Sequence, residues 1–99
     1  MSQVTLRAMI RSFRHKGLKE LFEKGATARM QKPLQERCVR RLDALDRASH
    51  PDDMNVPGFD FHALHGKPPR YTVHVNGPWC ITFEFEDGDA YRVDFEQYH

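Results

Sequence analysis

The sequence predicts an α+β fold in which two N-terminal helices pack on one face of a small antiparallel β-sheet. Residues 16–49 hold two segments with apolar side chains at helical spacing, whereas residues 71–95 alternate apolar and polar side chains between glycine-containing turns. A chain of 99 residues fits one domain with a single modest core. We therefore expect one domain over residues 1–99, with the patternless residues 1–8 as an extension.

Two helices account for most of the N-terminal half. The first is expected at residues 16–24, with Gly25 placed to end it. The second is expected at residues 33–49, because Pro33 suits the first turn of a helix and Pro51 stops one. Its apolar stripe consists of Leu34, Cys38, Leu42 and Leu45, which assigns Cys38 to the core.

The C-terminal stretch, residues 79–99, is expected to form a hairpin around Asp87-Gly88. A two-residue loop there would place Phe83 opposite Arg92 and so mix the core with charge. A three-residue loop at residues 86–88 keeps one face apolar and is therefore favoured. It predicts the pairs Phe83–Tyr91, Ile81–Val93 and Trp79–Phe95 on the core face, and Cys80–Asp94, Thr82–Arg92 and Glu84–Ala90 on the open face.

A second three-residue turn is expected at residues 76–78. It predicts the pairs Val75–Trp79, Val73–Ile81, Tyr71–Phe83 and His74–Cys80. The two registers then align His74, Cys80 and Asp94 across the open face. Such a row could be a cysteine nucleophile with an imidazole and a carboxylate, or three unrelated surface residues. The sequence offers no oxyanion hole, so the second interpretation is favoured.

Charge is distributed unevenly along the chain, although the net charge is only +1. Residues 1–50 hold 12 Lys and Arg against 5 Asp and Glu, whereas residues 51–99 hold 3 against 9. Either the basic half binds nucleic acid and another surface binds a protein, or the two halves neutralise each other. In the second helix, Arg37, Arg40 and Arg41 form either a solvated, ion-paired surface or a patch facing phosphates or a partner.

The sequence also bears on location. No apolar run reaches the ~20 residues that a membrane helix needs, and the N-terminus lacks a signal peptide's apolar core. The two cysteines, Cys38 and Cys80, show no metal-binding or redox spacing and are expected to be free thiols. We therefore expect a cytoplasmic protein.

Three histidines, His62, His65 and His99, are candidates for proton transfer because imidazole titrates near neutral pH. They could also bind a metal, but the spacing of His62 and His65 is weak evidence for such a site. Each could equally be an ordinary surface residue. Lys67 and Arg70, which lie beside them in a loop, could contact a phosphate.

The C-terminal stretch resembles the HigB toxins of the RelE/ParE superfamily. It reads W-C-I-T-F-E-F-E-D-G-D-A-Y-R-V-D-F-E-Q-Y-H, and the usual family pattern is W-R-I-T-F-x-F-x-x-G-D-A-Y-x-V-D-Y-E-D-Y-H. The resemblance extends to F-H-A-L-H-G at residues 61–66, where the family commonly has L-H-P-L-K-G, and to M-I-R-S-F-R-H-K-G-L-K at residues 9–19. It covers essentially residues 9–99.

This resemblance implies a RelE-like (microbial-RNase-like) fold and a toxin of a type II toxin–antitoxin system. It implies a ribosome-dependent mRNA endonuclease, an mRNA interferase, whose nucleophile is the RNA 2′-hydroxyl and which needs no metal or other cofactor. The implied partners are a helix-turn-helix antitoxin of the HigA type, the ribosome and mRNA. Two alternatives stay open: an inactive toxin-fold protein that binds antitoxin or ribosome, and a gyrase poison like the ParE branch.

The resemblance and the patterns described above together assign residues to roles. The candidate catalytic residues are His62, His65, Tyr98 and His99, with His65 standing at the family's lysine. The candidate RNA-binding residues are Lys67, Arg70, His74, Cys80 and Arg92, and the candidate ribosome or partner patch is Arg37, Arg40 and Arg41. Cys80 stands at the arginine of W-R-I-T-F and Gln97 at the aspartate of E-D-Y-H. Because cysteine cannot replace the charge of arginine, another arginine supplies that charge or the toxin is weakened.

Overall fold

The computed structural model describes residues 10–97, so the expected extension at residues 1–8 lies outside the described residues. Its elements are α1 (Lys16–Lys24), α2 (Lys32–Arg47), a 3₁₀ helix (Pro51–Met54), β1 (His62–Leu64), β2 (Arg70–Asn76), β3 (Trp79–Glu86) and β4 (Asp89–Gln97). The four strands form one antiparallel sheet in the order β1-β2-β3-β4. The predicted α+β class is confirmed. Within the described residues, no helix has the length and apolar character needed to span a membrane.

Both predicted helices are present. In α1, the Nδ1 atom of His15 accepts a hydrogen bond from the backbone N–H of Leu18 at 3.1 Å, which caps the first turn. Gly25 ends α1 in a left-handed conformation with φ 81°, as predicted. The second helix begins at Lys32, one residue earlier than predicted. It ends at Arg47, two residues earlier than predicted, because Ala48 already has extended backbone.

One face of the sheet forms the core together with the two helices. Val73, Ile81 and Phe95 lie in a row across β2, β3 and β4 on this face. The helices contribute side chains that are at most 1% exposed: Leu18 and Leu21 from α1, and Cys38, Leu42 and Leu45 from α2. The assignment of Cys38 to the core is confirmed.

The hairpin between β3 and β4 has a two-residue loop instead of the predicted three-residue loop. Glu86 pairs with Asp89, and the loop residues Asp87 and Gly88 have φ values of 53° and 83°. Two successive positive φ angles are the backbone of a type I′ turn, whose twist matches that of the flanking strands.

A β-bulge in β4 keeps the core face apolar despite this shorter loop. Arg92 adopts a left-handed conformation with φ 49°, where the register shifts between Thr82 and Glu84. The extra residue moves Ile81 from Asp94 to Phe95, so the apolar face continues along the strand. The predicted pairs Phe83–Tyr91, Ile81–Val93, Trp79–Phe95, Cys80–Asp94, Thr82–Arg92 and Glu84–Ala90 are therefore wrong.

The turn between β2 and β3 follows the same principle. Asn76 pairs with Trp79 across the two-residue loop Gly77-Pro78, so the predicted pairing of Val75 with Trp79 is wrong. A bulge between His74 and Asn76 then restores the register. The predicted pairs Val73–Ile81, Tyr71–Phe83 and His74–Cys80 are confirmed.

The segment before α1 lies beside β4. Ile10 and Phe13 form isolated parallel bridges with Ala90 and Val93. Arg11 pairs with Asp89 at 2.9 Å, a contact in which a cation of the basic half neutralises an anion of the acidic half.

We expect Gly88→Ala to destabilise the fold by about 1 kcal/mol, because alanine is strained at the positive φ of this turn position. A Cβ at residue 88 would meet no atom within 4 Å, so backbone strain is the whole effect. Chemical denaturation measures the difference. Asp87→Asn is the matched control, expected within about 0.5 kcal/mol of wild type because asparagine tolerates this conformation. Equal stability of Gly88→Ala and wild type would contradict the positive φ of Gly88 in this turn.

Candidate functional site

The sheet face opposite the core, which we call the outer face, is polar but closely packed. Its strand residues include Arg70, Thr72, His74, Cys80, Thr82, Glu84, Asp94 and Glu96. Thr82 is fully buried and Glu84 is 8% exposed, although both side chains point away from the hydrophobic core. A buried carboxylate is stable only when it is paired and hydrogen-bonded. The outer face therefore needs an internal network of partners.

Arg70 is the centre of this network. Its Nη1 atom donates to Glu84 Oε2 at 3.0 Å, and its Nη2 atom donates to Thr82 Oγ1 at 2.7 Å and to the Arg92 carbonyl oxygen at 3.1 Å. The same Nη2 atom lies 3.7 Å from Glu96 Oε2, and this oxygen accepts a hydrogen bond from the Thr82 hydroxyl. The Arg70 side chain is only 17% exposed. These contacts fix the guanidinium above the middle of β3.

Arg92 is the second guanidinium on this face. Its Nη1 atom donates to Glu84 Oε1 at 3.0 Å, so one carboxylate joins both arginines. The Arg92 side chain is 56% exposed, unlike that of Arg70. The bulge at Arg92 also presents its carbonyl oxygen to Arg70, and Ser12 Oγ accepts its backbone N–H at 2.9 Å. The bulge thus positions the guanidinium and the carbonyl group of one residue in the same cluster.

The predicted row of His74, Cys80 and Asp94 forms only in part. Cys80 lies opposite His74 on one side, but its partner on β4 is Glu96 instead of Asp94, because of the bulge. The His74 Nε2 atom lies 2.8 Å from the Gly77 carbonyl oxygen and so ties the ring to the turn. Cys80 is 7% exposed, whereas the sequence suggested an open position. The arrangement does not support a cysteine nucleophile.

His62 begins β1 at the sheet edge, and its register partner on β2 is Thr72. Its Nε2 atom lies 3.1 Å from Asp60 Oδ1, and its side chain is 63% exposed. Thr72 continues the same row to Thr82 on β3. Among the described residues, the Thr72 hydroxyl is the one buried side-chain oxygen or nitrogen that has no hydrogen-bond partner. The row therefore joins an exposed imidazole to the Arg70 cluster.

The remaining candidates lie around this row or outside the described residues. His65 and Lys67 are exposed in the loop between β1 and β2. Tyr98 and His99 follow Gln97, the last residue of β4, and lie outside the described residues. In residues 10–97, no three His, Cys, Asp or Glu side chains are grouped so that they could hold a metal ion.

The predicted arginine patch on α2 loses one of its members. Arg37 and Arg40 are exposed, but Arg41 is 6% exposed. Its guanidinium donates to the carbonyl oxygens of His74 at 2.6 Å, Arg37 at 3.0 Å and Gly58 at 3.4 Å, and it lies 4.6 Å from the Phe59 ring centroid. Burial lowers the pKa of Arg41. Arg41 therefore joins α2 to β2 inside the fold, where it cannot face a partner.

Sequence reasoning missed Thr82, Glu84 and Glu96 as members of the site. The register that it favoured placed Thr82 opposite Arg92 and Glu84 opposite Ala90, so no cluster was visible. One signal was available: Glu84 sits between Phe83 and Phe85, in a strand whose alternate residues are large and apolar. A carboxylate at such a position requires a cation nearby if it becomes buried.

We expect Arg41→Ala to destabilise the chain by about 2–4 kcal/mol, because three carbonyl groups lose a donor and the Phe59 ring loses its cation. Urea unfolding measures the change. Arg40→Ala, one residue away on the same helix and exposed, is the matched control and should stay within about 0.5 kcal/mol of wild type. Similar losses for the two variants would contradict the structural role of Arg41.

We expect Cys38 to resist alkylation by iodoacetamide in the native chain at pH 8. Burial raises the pKa of its thiol to about 12, and the residue is 0% exposed, so thiolate is both scarce and inaccessible. Mass spectrometry of the digested protein gives the extent of modification at each cysteine. In denaturing urea, both Cys38 and Cys80 should react. Rapid native modification of Cys38 would contradict its place in the core.

Comparison with known proteins identifies the family. A model described as the RelE-like toxin of the type II toxin–antitoxin system HigB matches residues 11–99. The chain is also 42% identical over 92 residues to the Endoribonuclease HigB of Proteus vulgaris, a match that covers 92% of this chain and 100% of that relative. The chain therefore belongs to the HigB-like family of RelE-like toxins of type II toxin–antitoxin systems.

Proposed function

We propose that this toxin is an endoribonuclease that cuts mRNA on translating ribosomes and uses the RNA 2′-hydroxyl as its nucleophile. The name of the Proteus vulgaris relative supports the endoribonuclease activity. The observation that carries the proposal is the outer face, where an exposed imidazole and two guanidinium groups share one surface. Such a surface can supply proton transfer and positive charge to a phosphodiester.

The proposed reaction needs no group beyond these side chains. The 2′-oxygen attacks the adjacent phosphorus, a P–O2′ bond forms, and the P–O5′ bond breaks. A base takes the proton from the 2′-hydroxyl, and an acid gives one to the departing 5′-oxygen. The products are a 2′,3′-cyclic phosphate and a 5′-hydroxyl end. Negative charge grows on the phosphoryl oxygens in the pentacovalent transition state, and fixed cations stabilise it there.

Among the candidate acids and bases, His62 has an observed orienting partner. The Asp60 carboxylate at 3.1 Å can hold one ring nitrogen and leave the other for the substrate. His65, Tyr98 and His99 are the other proposed acid, base or phosphate-contacting groups. Lys67, Arg70 and Arg92 are the proposed phosphate contacts, and His74 and Cys80 form the neighbouring row of the outer face. The reaction as proposed uses no cofactor.

Membership of a type II toxin–antitoxin family implies an antitoxin partner. We propose that this partner is a helix-turn-helix protein of the HigA type, and that the toxin acts in the cytoplasm, where its ribosome and mRNA substrates are. Arg37 and Arg40, exposed on α2, are the proposed contacts with ribosomal RNA or with a protein partner.

Expression of the chain without an antitoxin tests the function. We expect growth arrest of a bacterial host, with new mRNA 5′ ends mapped inside codons that ribosomes occupy. Those ends should disappear when translation initiation is blocked before induction, because the substrate is ribosome-bound mRNA. Intact transcripts with soluble toxin present would leave the inactive binding protein as the better explanation. DNA damage without loss of mRNA would point to a gyrase poison.

We expect His62→Ala and His99→Ala each to lower the single-turnover cleavage rate by about 100-fold, the usual size of a lost proton-transfer group. The rate is measured with purified ribosomes and one defined mRNA. His50→Asn is the matched control, because His50 lies before the 3₁₀ helix and asparagine can still cap it. Wild-type rates in both alanine variants would remove these histidines from the mechanism.

A further inference from the structure

Residue 80 on the outer face carries no charge, but a guanidinium from the adjacent strand lies near it. The pattern that the C-terminal stretch resembles has an arginine at this position of β3, whereas this chain has Cys80, a small side chain without charge. The cation of Arg70 nevertheless lies close to this position. Its Nη2 atom donates a hydrogen bond to Thr82 Oγ1, two residues further along β3. The same atom lies 3.7 Å from Glu96 Oε2, and Glu96 is the cross-strand partner of Cys80.

We propose that Arg70, reaching across from β2, supplies the phosphate-binding cation beside Cys80, and that Glu84 is the positioning residue that holds it there. This inference rests on the proposed endoribonuclease function. The proposal assigns this role to Arg70 and not to Arg92. The exposed Arg92 donates to the other carboxylate oxygen of Glu84, which lies four residues from Cys80 along β3. A small residue at position 80 leaves room for Arg70, whereas a second guanidinium there would meet a like charge.

The donor count of Arg70 supports this role. A guanidinium carries five N–H donors. Three are used in the described structure, on Glu84, Thr82 and the Arg92 carbonyl oxygen. The Nε–H and one Nη1–H remain for a phosphate. The Arg70 side chain is 17% exposed and is held by several hydrogen bonds. Binding a phosphate would therefore cost little side-chain conformational entropy and little desolvation.

The charges of the cluster are balanced. The carboxylate of Glu84 is shared by Arg70 and Arg92. Glu96 forms a longer ion pair with Arg70 at 3.7 Å, and its Oε2 atom accepts a hydrogen bond from the Thr82 hydroxyl. A phosphate group at Arg70 would therefore bind through the two N–H donors that remain on the guanidinium. Glu84 thus fixes the geometry of Arg70 and leaves these two donors for the substrate.

An exchange of the cation between strands tests the proposal. The single-turnover cleavage rate of ribosome-bound mRNA is compared for wild type, Arg70→Ala, Cys80→Arg and the double variant. We expect Arg70→Ala to lose about 100-fold and the double variant to regain at least about tenfold, since the cation returns on β3. Cys80→Arg alone should not exceed wild type. A gain for Cys80→Arg alone, or no recovery in the double variant, would overturn the inference.

Glu84→Gln tests the positioning role. We expect a fall of about tenfold in the maximal rate with little change in the half-saturating ribosome concentration, and no further fall when Arg70→Ala is already present. A purely structural role would lower the unfolding midpoint and persist in the Arg70→Ala background. Arg47→Ala, which removes an exposed arginine of α2, is the control for simple loss of charge.

If Arg70→Ala does not fold, Arg70→Lys replaces it. We expect this variant to lose about tenfold in rate because lysine lacks the planar fork of arginine. A wild-type rate for Arg70→Lys would contradict the proposal.

Binding of a 2′-O-methyl oligoribonucleotide, whose nucleophile is blocked, separates this inference from the proposed function. If wild type does not cleave but Arg70→Ala weakens this binding and Cys80→Arg restores it, the function fails and the phosphate site stands. If wild type cleaves and Arg70→Ala cleaves equally well, the function stands and the site fails. A wild-type protein that neither cleaves mRNA nor binds the oligoribonucleotide would contradict the proposed function and the phosphate site alike.

Discussion

The alternation of side chains along β3 is the constraint on which the rest of the structure depends. Ile81 and Phe83 point to the helices, and Cys80, Thr82 and Glu84 point to the outer face. Both neighbouring strands adapt to this pattern, since each is joined to β3 by a tight two-residue loop and contains a bulge. Without the bulges, every side chain beyond them would move to the wrong face. The bulge at Arg92 also completes the polar cluster, so the register and the candidate site have one physical origin.

The sequence predicted the helices, the strands and the two-faced character of the sheet because these follow from local periodicity. The resemblance of the chain to its family was visible in the terminal motif and in H-A-L-H-G. The registers on both sides of β3 were harder. The pattern disfavours the two-residue loop at Asp87-Gly88 because that loop alone would place Phe83 opposite Arg92, and sequence patterns do not show that Arg92 can adopt a left-handed conformation. Arg41 was assigned to the surface for a similar reason: three carbonyl acceptors and an aromatic ring from other segments account for its burial.

The outer face combines buried polar groups with a few strained residues, which is typical of functional surfaces. Asp60, next to His62, and Arg92 both have positive φ values, 49° in each case. Such conformations cost about 1–3 kcal/mol for residues other than glycine and persist where the surroundings enforce them. Here each strained residue orients a candidate group: Asp60 the imidazole of His62, and Arg92 its own carbonyl group toward Arg70. Cys80, which carries no charge, thus lies beside a cluster whose guanidinium comes from Arg70 on the adjacent strand.

A structure of the toxin bound to a ribosome that carries a 2′-O-methyl mRNA would test most directly whether the outer face is the RNA site. The blocked 2′-oxygen would hold the substrate before cleavage. We expect the guanidinium of Arg70 within hydrogen-bond distance of the phosphate next to the methylated ribose, with the His62 ring on the same side of the sheet. A phosphate held instead by Arg37 and Arg40 of α2, with the outer face turned away from the mRNA, would contradict this assignment.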